Sequence, residues 1–291
     1  MRAAVLALAA LPALVAAPAL AEPVVVQPSS PWNVDFAADK CRLARLFGEG
    51  ENQHLVFFEQ YWPGETFGLT VAGPAFERFR SRQRTDLSFS SAQKPMRGEP
   101  FKGTIGEYGD GMVYSTVSLT EADDDEDGDR DELVTQLPQL DLEAAATGEF
   151  VSLRQRGSEV RLLTGPLDEA FAVLNRCALD LIADWGLDLD KHRNAQRLPR
   201  WINPDKVVSK IVANYPRGAL NDGEQGIMRM RVLVSEEGMV EDCVIISATS
   251  TDRLESPACK AMREARFEPA LDAQGAPMRS YFAESVIYKI N

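Results

Sequence analysis

The chain has 291 residues, a formal net charge of −13 and a hydrophobic fraction of 45%. That length accommodates two domains of ordinary size. The balance is too acidic to supply the row of cations that neutralises a phosphate backbone, so nucleic acid is not expected as a partner. The acid excess is concentrated before residue 201, and the last third is close to neutral.

In chain order, residues 1–21 read as an export signal peptide. Arg2 gives a minimal positive start, residues 3–15 are an almost unbroken apolar run, and Ala19-Leu20-Ala21 offers small residues at both positions a signal peptidase reads. The alternative is an uncleaved membrane anchor. Pro12 and Pro18 disfavour one straight helix, and the stretch only just approaches the roughly 20 residues a span requires. No Cys lies near the cleavage point, which argues against a lipoprotein.

Residues 30–186 read as a β-rich domain closed by one helix. Residues 55–60 are apolar and aromatic, Trp62-Pro63-Gly64 turns the chain, and residues 66–72 alternate up to Gly73-Pro74. Residues 86–91, 112–119 and 150–154 continue the series, and Arg156-Gly157-Ser158 forms a hairpin turn into residues 160–163. Residues 41–47 fit strand or helix equally by periodicity. A helix opens after Pro166, with Asp168 and Glu169 at the positive end of its dipole. Its apolar face carries Leu167, Phe171, Leu174, Cys177, Ala178 and Leu181, and Gly186 ends it. No known family is recognised in this domain.

Between strands and helix lies an acidic run, residues 121–132, with nine acids and one Arg. Asp123-x-Asp125-x-Asp127-Gly128 begins like an EF-hand loop. Its twelfth position is Val134, where a bidentate Glu is needed, so a solvated acidic loop is the expectation and weak Ca²⁺ binding the alternative. Residues 187–204 form a polar linker, which if flexible would span on the order of 20 Å.

The C-terminal module occupies residues 205–291. Tyr215-Pro216 with Ala219 opens it as a short helix. After Gly226, Met228, Met230, Val232 and Val234 point one way, and Ile227, Arg229, Arg231 and Leu233 the other, a half-buried strand by its period of two. Glu236-Glu237-Gly238 turns the chain, and Gly238-Met239-Val240 leads the returning strand. Leu254, Ala258, Ala261, Met262 and Ala265 mark the buried face of a helix. Arg266-Phe267-Glu268-Pro269-Ala270 follows, with Phe267 expected to plug the core and Pro269 to stop the helix. Gly275 turns the chain into a final strand over residues 279–290.

Four cysteines without C-x-x-C spacing, joined only by His54 and His192, make a metal site improbable. They allow three pairings. The local pairing joins Cys41 to Cys177 and Cys243 to Cys259, one bridge per domain, and is preferred for an exported chain; four buried free thiols are the bland alternative. There is no nucleophile elbow, zinc-protease motif, phosphate loop or dinucleotide fingerprint, so neither enzyme activity nor a cofactor is expected. His54, beside Leu55 and Val56, reads as structural. An enzyme reading would need an unrecognised site in the N-terminal domain.

The order Tyr-Pro-x-x-Ala, Gly-x-Val, Arg-Phe-x-Pro-Ala and a closing Tyr288-Lys289-Ile290 resembles the C-terminal domain of TonB proteins over roughly residues 213–290. Ser247-Ala248-Thr249, where that family has Ser-Ser-Gly, departs in part, and Cys243 and Cys259 are additions. The resemblance implies an α+β domain, a three-stranded antiparallel sheet packed on helices, in the periplasm of a Gram-negative cell. It implies that an extended segment of an outer-membrane receptor or other envelope protein adds as a strand to the sheet edge. Carried onto this sequence, the partner-binding residues are Asn214, Tyr215, Ser280, Tyr281, Ala283, Ser285, Ile287 and Lys289. A homodimer through the same strand is the competing use of that edge. The runner-up function is a signal-anchored energy transducer supporting transport, although the long Pro-rich spacer of such proteins is not found.

Overall fold

The computed structural model describes residues 22–81, 83–120, 137–247, 249 and 257–289. The stretch read as an export signal, the acidic run with its EF-hand-like start, and the helix entry at residues 254–256 lie outside the described residues. The remainder is α+β, mostly strands with few helices.

The N-terminal domain holds β1 (Val24–Val26), β2 (Asn33–Ala37), β3 (Lys40–Phe47), β4 (His54–Gln60), β5 (Phe67–Ala72), β6 (Thr85–Ser88), β7 (Met96–Gly98), β8 (Phe101–Thr104) and β9 (Asp110–Val117). Then come α1 (Leu142–Ala146), β10 (Val151–Gln155), β11 (Ser158–Leu162) and α2 (Asp168–Asp184). A six-stranded sheet runs β2-β3-β4-β5-β9-β8, and a five-stranded sheet runs β1-β11-β10-β6-β7. All pairs are antiparallel except β1, which joins β11 in parallel. The ambiguous stretch at residues 41–47 is strand: Cys41, Leu43 and Phe47 face the core at alternating depth, and both neighbours pair with it. Arg156 and Gly157 make the β10–β11 turn with φ of 48° and 83°, the doubly positive geometry of a two-residue hairpin.

Helix α2 lies on the six-stranded sheet by its apolar stripe. Phe171 meets Phe58 of β4 edge-on at 5.1 Å and Phe67 of β5 at 5.3 Å, aromatic contacts that add specificity to burial. Cys177 bonds Cys41 of β3 with Cα atoms 5.9 Å apart, tying the helix to the sheet it covers.

After α2 come α3 (Leu189–Arg193), β12 (Arg200–Trp201), α4 (Pro204–Ala213), α5 (Arg217–Asn221), β13 (Gly226–Val234), β14 (Val240–Ser247) and α6 (Ala258–Met262). The chain closes with β15 (Phe267–Glu268), β16 (Ala270–Leu271), β17 (Pro277–Met278) and β18 (Ser280–Tyr288). β14-β13-β18 form the three-stranded antiparallel sheet. Met228, Met230, Val232 and Val234 pack beneath Val207 and Ile211 of α4 and Ala258, Ala261 and Met262 of α6. Helix α6 ends at Met262, earlier than Pro269 would stop it, because Phe267 and Glu268 leave to pair with Trp201 and Arg200. Phe267 is buried as expected, against Trp201 and Phe282.

Gly238 and Phe267, landmarks of separate motifs, touch. The Phe267 N–H donates to the Gly238 carbonyl at 2.9 Å. A Cβ on Gly238 would lie 1.9 Å from the Phe267 oxygen, and Gly238 has φ of 76°. Glycine is required here for space and for conformation.

Two expectations change where the domains meet. β13 is buried on both faces, not half-buried: Arg229 is 5% and Leu233 8% exposed, and Leu233 and Tyr281 belong to the N-terminal domain's core cluster. Residues 187–204, read as a polar linker, carry α3, β12 paired to β15, and His192 only 1% exposed. Period-two patterning records which residues share a face, not what covers it.

Candidate binding edge

β18 pairs with β13 along its whole length, from Gly226↔Tyr288 to Val234↔Ser280. Among the described residues no strand pairs with its other edge. β18 is therefore an edge strand, whose outward N–H and C=O groups can template another strand.

The eight residues assigned to partner binding have different situations. Ser280 is fully buried, and its hydroxyl bonds Nε2 of His192 at 2.9 Å. Tyr281 packs edge-on against Trp185 at 4.9 Å, and burial pushes its phenol pKa up. Ala283 also packs against the N-terminal core. The Ser285 hydroxyl accepts from Nη1 of Arg229. Ile287 is 45% exposed, and Lys289 forms an ion pair with Glu99 at 2.6 Å. Thus the side chains at 281, 283 and 285 turn toward the N-terminal domain, and Ile287 is the apolar member left open to solvent.

Asn214 caps its own helix, donating from Nδ2 to the Lys210 carbonyl at 2.7 Å. Tyr215 reaches the far end of β18: its ring meets Tyr288 at 5.0 Å and its hydroxyl donates to the Glu224 carbonyl at 2.7 Å. Tyr215 and β18 are brought together, whereas Asn214 directs its amide back into α4.

Arg229 is the residue that sequence reasoning passed over. From β13 its guanidinium reaches across Ser285 into the junction, donates from Nη2 to the Ser115 carbonyl at 2.5 Å, and lies over the Tyr61 ring at 5.2 Å. Burial lowers its pKa, while Tyr61 and Glu59 act in the opposite direction. Gly68 leaves it room, since a Cβ there would be 3.1 Å from Nη2. Glu59, 8% exposed, is engaged by Lys40 at 3.0 Å and Arg42 at 2.7 Å. Arg231 mirrors this, lying over Trp185 at 4.5 Å and 3.8 Å from Asp39. The available signal was two arginines on a strand face that otherwise carries Ile227 and Leu233; their aromatic partners are far away in sequence.

Cys243 of β14 and Cys259 of α6 are bonded, with Cα atoms 5.5 Å apart, so the sheet's other edge is fastened to the helix layer. His54 is fully buried, with Nδ1 donating to the Asn52 carbonyl at 2.8 Å and Nε2 accepting from the Ala75 N–H at 3.2 Å. Among the described residues no group of three His, Cys, Asp or Glu is placed to hold a metal, and no helix is long and apolar enough to cross a membrane.

Residues 212–290 match the protein family described as Gram-negative bacterial TonB protein C-terminal. No curated protein matches the chain.

Proposed function

We propose, from the premise that residues 212–290 are a TonB C-terminal domain, that this is a periplasmic binding protein which takes up an extended segment of an outer-membrane receptor or envelope protein. The segment adds as a strand to the outer edge of β18. Main-chain hydrogen bonds supply affinity, and the side chains on alternate faces supply selectivity. The observation that carries this reading is a nine-residue strand whose inner edge is fully paired and whose outer edge, among the described residues, pairs with no strand. The function is binding, not catalysis; activity surviving deletion of residues 201–291 would argue for an enzyme instead.

Export with cleavage is favoured over a permanent anchor. Only Glu22 and Pro23 separate residues 1–21 from β1. At about 3.5 Å per extended residue, an anchored form would hold its folded domain against the membrane with almost no reach. N-terminal sequencing of the protein from cells separates the two: a start at Glu22 supports the soluble form, a start at Met1 or Arg2 the anchored transducer.

Photo-crosslinking tests the edge itself. A crosslinker at Ile287 in the mature chain should trap an outer-membrane or envelope protein, and one at exposed Phe36 on β2 should not. Equal yields from both positions would count against the β18 edge. Light scattering on the mature chain tests the homodimer, which would occupy the edge in a partner's place.

A further inference from the structure

We propose that the N-terminal domain supplies part of the binding groove, and that Arg229 there receives an acidic side chain from the added strand. The proposal rests on the strand-addition reading and specifies what that strand must carry. Arg229 is 5% exposed; Tyr61 bonds it and Glu59 and Glu284 act on it from a distance, but among the described residues no carboxylate lies within ion-pair distance of it. Its Nε–H, also buried, has no hydrogen-bond partner. Buried charges ordinarily carry a counter-charge, so an arginine left in this state is poised to receive one.

The sheet geometry places that counter-charge. Arg229 and Ser285 are directly opposed in the register, and both side chains point to the N-terminal domain. A residue opposite Ser285 on an added strand would extend the same row, with its Cβ about 5 Å from that of Ser285. Ser285 is short, and the guanidinium already reaches its hydroxyl. An Asp or Glu in that row can therefore pass over Ser285 to the guanidinium edge. The cleft at this point is lined by Glu59, Tyr61, Trp62, Thr116, Ser285 and Arg229 among others, so residues from both domains form it, one carboxylate is already present, and none comes from β14. Its free space is about 20 Å³, sufficient for one oxygen of water size, so a single oxygen of an incoming carboxylate can enter it. Lys40, Arg42 and Arg229 outnumber the carboxylates of Glu59 and Glu284, which leaves the neighbourhood cationic within an acidic protein.

The test uses the mature chain, residues 22–291, and fluorescein-labelled ten-residue peptides of alternating Thr and Val. Glu, or Gln as its neutral counterpart, is placed at each position in turn and affinity is read by anisotropy. One position should favour Glu over Gln by about tenfold to a hundredfold, the range for a hydrogen-bonded charge. The preference should disappear in Arg229→Met. The peptide scan on the unaltered protein stands even if that variant does not fold. Binding with no Glu preference at any position overturns this inference and leaves strand addition intact; no binding by any peptide overturns both. Sodium acetate competing as well as the Glu peptide would also overturn it, since the site would then serve a free carboxylate.

Discussion

Gly238→Ala provides a direct test of how the C-terminal motifs are locked together. The new Cβ would lie 1.9 Å from the Phe267 oxygen and 2.9 Å from its carbonyl carbon, both backbone atoms that cannot rotate away. Holding a non-glycine residue at φ of 76° costs about 1–2 kcal/mol. Displacing packed backbone adds roughly 1–3 kcal/mol, which brings the expected loss to roughly 2–5 kcal/mol. Gly275→Ala is the control in the same domain. Its φ is 80°, but the nearest atom to its Cβ would be the Gln196 side-chain oxygen at 3.4 Å, so only the conformational cost applies. Urea unfolding of both variants, with a secondary-structure signal and a check that the slope is unchanged, gives the comparison. If Gly238→Ala is no more destabilising than Gly275→Ala, the backbone clash has been misjudged, and with it the account of why Gly-x-Val and Arg-Phe-x-Pro-Ala occur together.

Three further outcomes are expected. Intact mass of residues 22–291 prepared under oxidising conditions should be four hydrogens below the reduced form, one pair for each bridge. Chain-entropy reasoning then gives a loss of about 3 kcal/mol for Cys243→Ala with Cys259→Ala and about 5 kcal/mol for Cys41→Ala with Cys177→Ala. His54 and His192 both have pKa values lowered from 6.5, with burial the largest cause and backbone hydrogen bonds opposing it. The unfolded chain therefore binds protons that the folded chain refuses, and stability should fall as pH drops from 6.5 toward the folded values. Urea midpoints between pH 7.5 and 5.5 should show that slope, and His192→Gln should flatten it; an unchanged slope in that variant would mean His192 does not contribute. Finally, a fragment of residues 201–291 would uncover Leu233 and Tyr281, which are 8% and 7% exposed in the whole chain. It should bind the dye ANS and self-associate more than residues 22–291 do, and equal behaviour would show that the domains separate in solution.

The sequence by itself determined the local elements. Alternation in β13, the Arg156-Gly157 turn and the stripe on α2 are read within short windows, because side-chain period and turn conformation are local properties; the cysteine pairing is a preference among three, and the fold selects it. The family pattern at Gly238 and Phe267 was equally legible as residues, though only the fold gives its reason, a carbonyl lying where a Cβ would be. Residues 41–47 were undecided, because an apolar run of that length suits either period and only pairing with β2 and β4 settles it. Tertiary structure alone decided what lies over each face. Arg229 and Arg231 alternate with apolar residues as solvent-facing arginines would, yet Tyr61 and Trp185 cover them from another domain. The same packing turns Tyr281, Ala283 and Ser285 inward, and among the described residues no strand covers the outer edge of β18. Docking of two domains depends on surfaces whose residues are separated by from 46 positions, as Trp185 and Arg231, to well over a hundred, as Tyr61 and Arg229, and no periodicity within a strand encodes it.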